Sequence, residues 1–524
     1  RAFFFFLTLP ISFSYKILVY NSKCGHSNIN FYGNVADILV EAGHDVTTLL
    51  PQLDPAWGDG THKSKKIYAQ QTKECKQITD ALRHEDTDWF SINMLDPIAP
   101  FVEGTAYSDR FALQCRGTLE EPGLIDRLRA DKFDVMITEN FDMCGIGISH
   151  LIKPKALVNG AASVPMAWNF DEFGLPKAWS YNPSPLTSHL DVHSFWSRLK
   201  NIYAEAMFYG FFYTSRSMVE QLFKEKYGPS FPSLTEISSH AAYTIVNSEP
   251  LVDFATPTLN RIIYVGGLGA QEPKAVDKNL DSILNLRSKT ILISFGSVVL
   301  SSQLRQEVKD SIVETVSQFP EVTFIWKYEK PEDDFAKEAQ RKSPNLHLSK
   351  WIPQNDLLGD PRLTAFITHA GMGSTQETMR RGKPGLFVPC FGDQPRNAGA
   401  MERNGLGKVF DKHDISDATK FTAAVKDLIE NQSYYENARR ISSMIAKKPF
   451  SAKEQLIKHV EFAAEFGPSP ALRPQSYDMN WIEYHNADII AIFVLTMFTF
   501  AYSSLKIVPF VFKKVLCIAK SKQE

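Results

Sequence analysis

WIPQNDLLGDPRLTAFITHAGMGSTQETMRRGKPGLFVPCFGDQ, Trp351 to Gln394, is the stretch on which the fold turns. LTAFITH is an apolar run of strand length that ends on His369. AGMGS, with Gly371 and Gly373, is a turn that lets backbone N–H groups approach an anion closely. STQETMRR then opens a helix whose N-terminus points positive partial charge at the same place. PGLFVPC is a second strand, again followed by a loop and a helix. Strand, turn, helix and strand in that order make a parallel βα unit rather than a hairpin. The turn has the chemistry of a phosphate cradle without the Walker lysine, which disfavours ATP. Each residue also has a plain alternative: Ser374 with Glu377 forms a capping box, and Trp351 is ordinary core.

The same alternation runs outward in both directions. Upstream lie KTILISFGS as strand and turn, LRQEVKDSIVETVSQF as helix and VTFIWKY as strand. Before them NRIIYVGGLGAQEPKAVDKN, Asn260 to Asn279, gathers Gly, Pro and charge as a boundary would. On its far side YKILVY reads as a strand, FYGNVADILVEAG as a helix stopped by Gly43, and HDVTTLL and KFDVMIT as further strands, with ALVNG after them. Two such arrays predict an α/β protein of two doubly wound, Rossmann-like domains facing across a cleft. Between Leu190 and Gly228 the pattern turns helical and aromatic. It is too short in uncharged length to span a bilayer, and is either core or an apolar wall or membrane-facing helix.

The chain of 524 residues exceeds one core, and its 57 basic and 59 acidic residues leave a net charge of -2, which gives nucleic acid no purchase. Six cysteines without CxxC or Cys/His spacing argue against a zinc site and leave one or two disulfides of open connectivity. RAFFFFLTLPISFS has the pattern of a secretory signal peptide. Ile489 to Leu505 carries no charge and, continued to Phe512, reaches the ~30 Å a bilayer requires. Lys513, Lys514, Lys520 and Lys522 beyond it predict a cytosolic tail and a body that is lumenal or extracellular. KSKQE places lysines as a dilysine retrieval signal does, and NQS at Asn431 is a sequon suited to a lumenal face. The expected division is a signal peptide at 1–14, an acceptor-binding domain at 15–255 and a donor-binding domain at 256–440. Helices and linker at 441–485, a transmembrane helix at 486–512 and a tail at 513–524 follow.

From about Lys16 onward, and most specifically through WIPQNDLLGDPRLTAFITHAG and DQP, the chain resembles the UDP-glycosyltransferases, the membrane-bound UDP-glucuronosyltransferase type of animals. That resemblance implies a GT-B fold with a C-terminal transmembrane helix, the acceptor held by the first domain and the UDP-sugar by the second. It implies that Trp351 stacks on uracil and Gln354 holds the nucleoside. His369, Ser374, Ser297 and the amides of the turn with Gly371 and Gly373 would bind the diphosphate. Glu377 would take the ribose hydroxyls, and Asp393 and Gln394 those of the sugar. No metal and no cofactor beyond the donor substrate is expected, because fixed dipoles and His369 stabilise the leaving UDP. Many relatives have Asn where this chain has Gly373. Residence in the endoplasmic reticulum membrane, a glycoprotein character, a role in detoxification and association with like chains are further implications.

Transfer to a hydroxyl calls for a base, and a neutral histidine oriented by a carboxylate serves near pH 7. The resemblance supplies the carboxylate at the end of FDVMIT, which is Glu139 here where many relatives have Asp. It supplies the base in a Ser-His pair, and spacing from Gly43-His44 sets that pair on Ser27-Asn28. Asn28 orients an acceptor but takes no proton. His26, in a loop bent at Gly25, is the stand-in, with a solvated loop histidine as the alternative. Three functions follow: a sugar transferase acting on a small lipophilic acceptor with inversion, a weakly active donor-binding partner of active relatives, and a lipid-binding membrane protein. The last is disfavoured because it needs neither the cradle nor the Asp-Gln pair. The choice between glucuronic acid and glucose, and the acceptor, stay open.

Overall fold

The computed structural model describes residues 14–84, 88–96, 99–270 and 272–520. The signal-peptide segment lies outside the described residues but for Ser14, as do residues 521–524 of the tail.

Among the described residues, thirteen parallel strands form two sheets. The first holds β1 (Lys16–Tyr20), β2 (Asp45–Pro51), β3 (Lys65–Ala69), β4 (Val135–Glu139), β5 (Ala156–Ala161), β6 (Tyr243–Val246) and β7 (Ile262–Tyr264), in the order β3-β2-β1-β4-β5-β6-β7. The second holds β8 (Lys289–Ser294), β9 (Val322–Lys327), β10 (Leu346–Ser349), β11 (Leu363–Thr368), β12 (Gly385–Phe387) and β13 (Gly407–Val409), in the order β10-β9-β8-β11-β12-β13. Helices cover both faces, so the central strands are unbroken apolar runs: Ile17, Leu18 and Val19 of β1 and Ile291, Leu292 and Ile293 of β8 are wholly buried. Each sheet builds outward from its first strand in both directions, the doubly wound order. The order therefore reverses beside β1, against β4, and again beside β8, against β11. Ligands of such sheets sit in the crevice beyond the carboxyl ends of the strands at that reversal.

The two domains interlock. Phe90, from the first, is buried in the second domain's core against Phe295, with ring centroids 5.3 Å apart. Lys412 donates to the carbonyl of Trp89 at 2.7 Å, and Arg396 to Asn182 Oδ1 at 3.1 Å. β7 pairs with β6, so the first sheet runs past the division drawn at 255. The division at 440 falls inside the helix Gln432–Ala446. The helix Ala452–Phe466 then returns to the first domain, where Leu456, Val460, Ala463 and Ala464 form one apolar stripe against Ile17, Val19 and Val158. A disulfide joins Cys115 to Cys144, while Cys24, Cys75 and Cys390 are free.

The long aromatic segment is one helix, Phe195–Tyr227, of which only part is core. Phe212 and Phe223 are core, whereas Phe195, Trp196, Leu199, Ile202 and Tyr203 are exposed. Near the C-terminus, Ala487–Lys514 is long and apolar enough to cross a membrane by length and composition, and its apolar window is not buried against the rest of the chain.

Candidate active site

The second sheet's crevice is built on the quoted stretch. β11 ends at Thr368 and hands His369 to a turn from which the helix Met372–Arg381 starts, with Gly371 at its N-cap. A Cβ on Gly371 would lie 2.5 Å from His369 Nε2, and one on Gly296, in the turn after β8, 2.6 Å from His369 Cε1. The imidazole thus occupies a slot between two glycines that only hydrogen leaves open. Burial first, and the charge of Lys327 second, push its pKa down to about 4, so the ring is neutral. The left-handed conformation falls on Ala370, φ +61°, and not on a glycine of the turn. That costs about 1–2 kcal/mol for a residue with a Cβ. Asn397 holds the turn there, donating to the Ala370 carbonyl at 3.2 Å and to Asp393 Oδ2 at 3.1 Å. Nothing in the linear sequence marked Asn397 for this.

The capping box is not formed. The N-cap is Gly371, without a side-chain cap, and Ser374 is the third helical residue. Its hydroxyl accepts from Gln354 Nε2 at 3.1 Å, and Glu377 Oε2 accepts from the same nitrogen at 2.6 Å. Burial raises the Glu377 pKa. Gln354, Ser374 and Glu377 therefore form one linked polar patch. Trp351 is 67% exposed, which removes the core alternative. Gly373 is exposed, and a side chain on it would meet nothing within 4 Å. Asp393 has its pKa raised by burial, while buried Gln394 spends its oxygen on the amides of Cys390, at 2.8 Å, and Phe391, at 3.2 Å. Ser297 is half-buried in the turn after β8.

The first sheet's crevice holds the other candidates. The helix α1 (His26–Glu41) starts five residues before the expected Phe31, so His26 and Asn28 sit in its first turn and not in a loop. Gly25 is extended, φ 179°, and bends nothing. Starting the helix early is what carries Asn28 over the end of β4. Its Nδ2 lies 3.2 Å from both Oε1 and Oε2 of Glu139, which is buried. Burial, and then the charge of Asp142, push the Glu139 pKa up to about 8. Burial pushes Asp142 up to about 6, although Tyr20 donates to it at 3.0 Å and the Cys144 amide at 2.9 Å. Cys24 Sγ lies 3.6 Å from Glu139 Oε2. Tyr20, Cys24 and Asp142 carried no sequence signal of their own. His26 is half-buried, with Asn30 Nδ2 3.2 Å from its Nδ1 and the Trp57 ring at 5.8 Å. The carboxylate therefore meets Asn28, and His26 stands outside that pair.

Two Rossmann-type sheets whose crevices face each other define a GT-B glycosyltransferase, and solved structures share that fold. The glycotransferase of kitacinnamycin superposes with a TM-score of 0.57 at 15% identity, over 86% of this chain and 98% of that one. LpCGTa in complex with UDP gives 0.54 at 16% identity, over 86% and 99%. UDP-glucuronosyltransferase 1-2 of Rattus norvegicus is 28% identical over 508 residues, which are 95% of this chain and 92% of the rat protein. The family model described as UDP-glucoronosyl and UDP-glucosyl transferase matches residues 15–522, and the chain belongs to that family of UDP-sugar transferases.

Proposed function

We propose that the protein transfers a sugar from UDP to a small lipophilic acceptor with inversion, and that it handles neutral amines better than hydroxyls. The observation that carries this is the bond from Asn28 to Glu139. An amide nitrogen orients an acceptor but takes no proton. Glu139, with a pKa of about 8, is mostly protonated at pH 7 and is a poor base there. A neutral amine attacks without losing a proton first, so it suffers less from the missing base. On the donor side, Trp351 would stack on the base, Gln354 and Glu377 would hold the nucleoside, and Asp393 and Gln394 the sugar. The slot-held neutral His369, Ser297, Ser374 and the unspent amides at the start of Met372–Arg381 would receive the charge leaving on the diphosphate. No step of this scheme passes through a metal ion.

We place the body on the lumenal side of the endoplasmic reticulum membrane, anchored by Ala487–Lys514. The exposed apolar side chains at the start of Phe195–Tyr227 would rest on the bilayer. A weakly active partner that binds donor and associates with related chains is the second reading, favoured by the same Asn28. Membranes carrying the protein, given UDP-glucose or UDP-glucuronate with matched phenol and amine acceptors, separate the two. Amine conjugates are expected in excess of phenol conjugates. Donor binding with no conjugate at all would favour the partner, and phenol conjugates in excess would defeat the amine preference.

A further inference from the structure

Trp89 and Phe90 were singled out by no motif, yet they carry the first domain into the loops of the second. They lie between the helices Lys73–His84 and Ala99–Glu120 of the first domain. Phe90 is buried against Phe295, the residue before the turn of Gly296 and Ser297. Trp89 packs on Phe391, with ring centroids 4.3 Å apart, in the loop that runs from β12 to Asp393 and Gln394. Lys412, itself buried, donates to the carbonyls of Trp89 and of Cys390, both at 2.7 Å. Gln394 in turn accepts from the amides of Cys390 and Phe391. Asp88 sets the segment, accepting from the Phe90 amide at 3.1 Å and from Arg305 Nε at 2.9 Å. On the other flank of the Asp393–Gln394 pair, Arg396 donates to Asn182 Oδ1, and its amide donates to the Pro185 carbonyl at 3.3 Å. Both flanks of the pair therefore rest on the first domain. A side chain that grips a ligand must be held to within about 0.5 Å, and a loop achieves that only where its neighbours pack it in place.

We propose that Trp89 is a positioning residue for the donor's sugar: its ring and its carbonyl hold the loop 388–392 so that Asp393 and Gln394 meet the sugar hydroxyls. Trp89 acts through the loop and not by touching the donor, so the first domain sets how well the second grips the sugar. This rests on the reading of Asp393 and Gln394 as the sugar's partners. Rings that served only to glue the domains together would affect UDP and UDP-sugar alike.

The test titrates UDP, UDP-glucose and UDP-glucuronate into the full chain in detergent, as wild type, Trp89→Ala, Trp89→Leu, Trp89→Phe and Asp393→Ala. The readout is the affinity for the tighter-binding UDP-sugar relative to that for UDP. Trp89→Ala is expected to lower this ratio by about 3- to 10-fold, the worth of one hydrogen bond, with the UDP affinity itself unchanged. Trp89→Phe, which keeps a ring on Phe391, should restore most of it. Unchanged UDP affinity also shows that a variant is folded. Where Trp89→Ala loses UDP as well, Trp89→Leu, which keeps apolar bulk but no flat ring, decides on the same criterion. An unchanged ratio, or an equal loss for UDP and UDP-sugar in both the Ala and the Leu variant, would overturn the inference. A ratio that falls in Asp393→Ala would then leave the sugar reading of the pair standing. An unchanged ratio in Asp393→Ala would overturn that reading and the inference with it, as would a wild type that binds none of the three.

Discussion

The two crevices share one backbone plan and hold different chemistry. In each, a strand order reverses beside the sheet's first strand, and a helix begins where the strands end. Beyond β11 the reversal offers a neutral imidazole and unspent amides. Beyond β4 it offers two buried carboxyl groups, Glu139 and Asp142, whose pKa values rise to about 8 and about 6. The helix N-terminus favours anions in both places, and near Glu139 desolvation outweighs it. A doubly wound sheet therefore fixes where a ligand sits, and the side chains alone fix what happens to it. One crevice is finished for receiving negative charge. The other keeps the acid that should orient a base and has an amide where the base belongs.

The largest effect should come from completing the crevice beyond β4. Asn28→His puts an imidazole within reach of Glu139, and phenol transfer should rise by about 10²–10⁴-fold while amine transfer barely moves. His26→Ala should leave phenol transfer as it is, since the His26 ring faces Asn30 rather than a carboxylate. Steady-state rates with one phenol and one amine decide both. Phenol transfer that vanishes in His26→Ala would make His26 the working base after all.

Damage to the crevice beyond β11 should come next in size. His369→Ala empties the slot between Gly296 and Gly371, and kcat should fall by about 10²–10³-fold, with UDP affinity falling less, because its contact strengthens as charge leaves. The loss should be the same for phenol and amine. A loss that depends on the acceptor would mean that the two crevices do not divide the work in this way.

Acidity gives a third, smaller contrast. A carboxyl group whose folded pKa is raised acts as a base only above that value. Transfer to an aliphatic alcohol should therefore climb with pH through about 8, by about tenfold between pH 7 and 9 if Glu139 is the acceptor of the proton. His369, neutral down to about 4, should leave UDP binding flat over the same range. Glu139→Gln should remove the climb, and a climb that persists would hand the proton to water.

The unequal legibility of the two sites has a physical cause. The donor turn is contiguous: strand, glycines and helix start all lie between Leu363 and Arg381, so periodicity and turn chemistry could find it. Even there one role of the glycines was hidden, because Gly371 clears a ring, and the left-handed residue is Ala370. Asn28 and Glu139 are 111 residues apart and meet only because β1 and β4 are neighbours, which no local pattern records. Their pairing came from resemblance, and the early start of α1 was missed because HSNIN lacks an apolar stripe. Lys412 and Asn397 act through carbonyl groups brought to them by other segments, and such contacts leave no trace in spacing.

The smallest expected effect tests whether the crevices are independent. Gly373 is the second residue of its helix, its φ needs no glycine, and a new side chain there enters open space. Gly373→Asn should therefore fold without strain, and its amide can add one hydrogen bond to an anion at the helix start. UDP should bind more tightly by about 0.5–1.5 kcal/mol, the net worth of one such bond. Titration of UDP into the variant measures this, and equal or weaker binding would place the diphosphate away from that helix. Nothing about Gly373 touches the Asn28–Glu139 pair, so the ratio of phenol to amine transfer should not change. Combined with Asn28→His, the two gains should add in free energy, as they do for sites that share no partner. A clear shortfall from the sum would show that a tighter donor also moves the acceptor's crevice, and the division of labour between the two sheets would have to be given up.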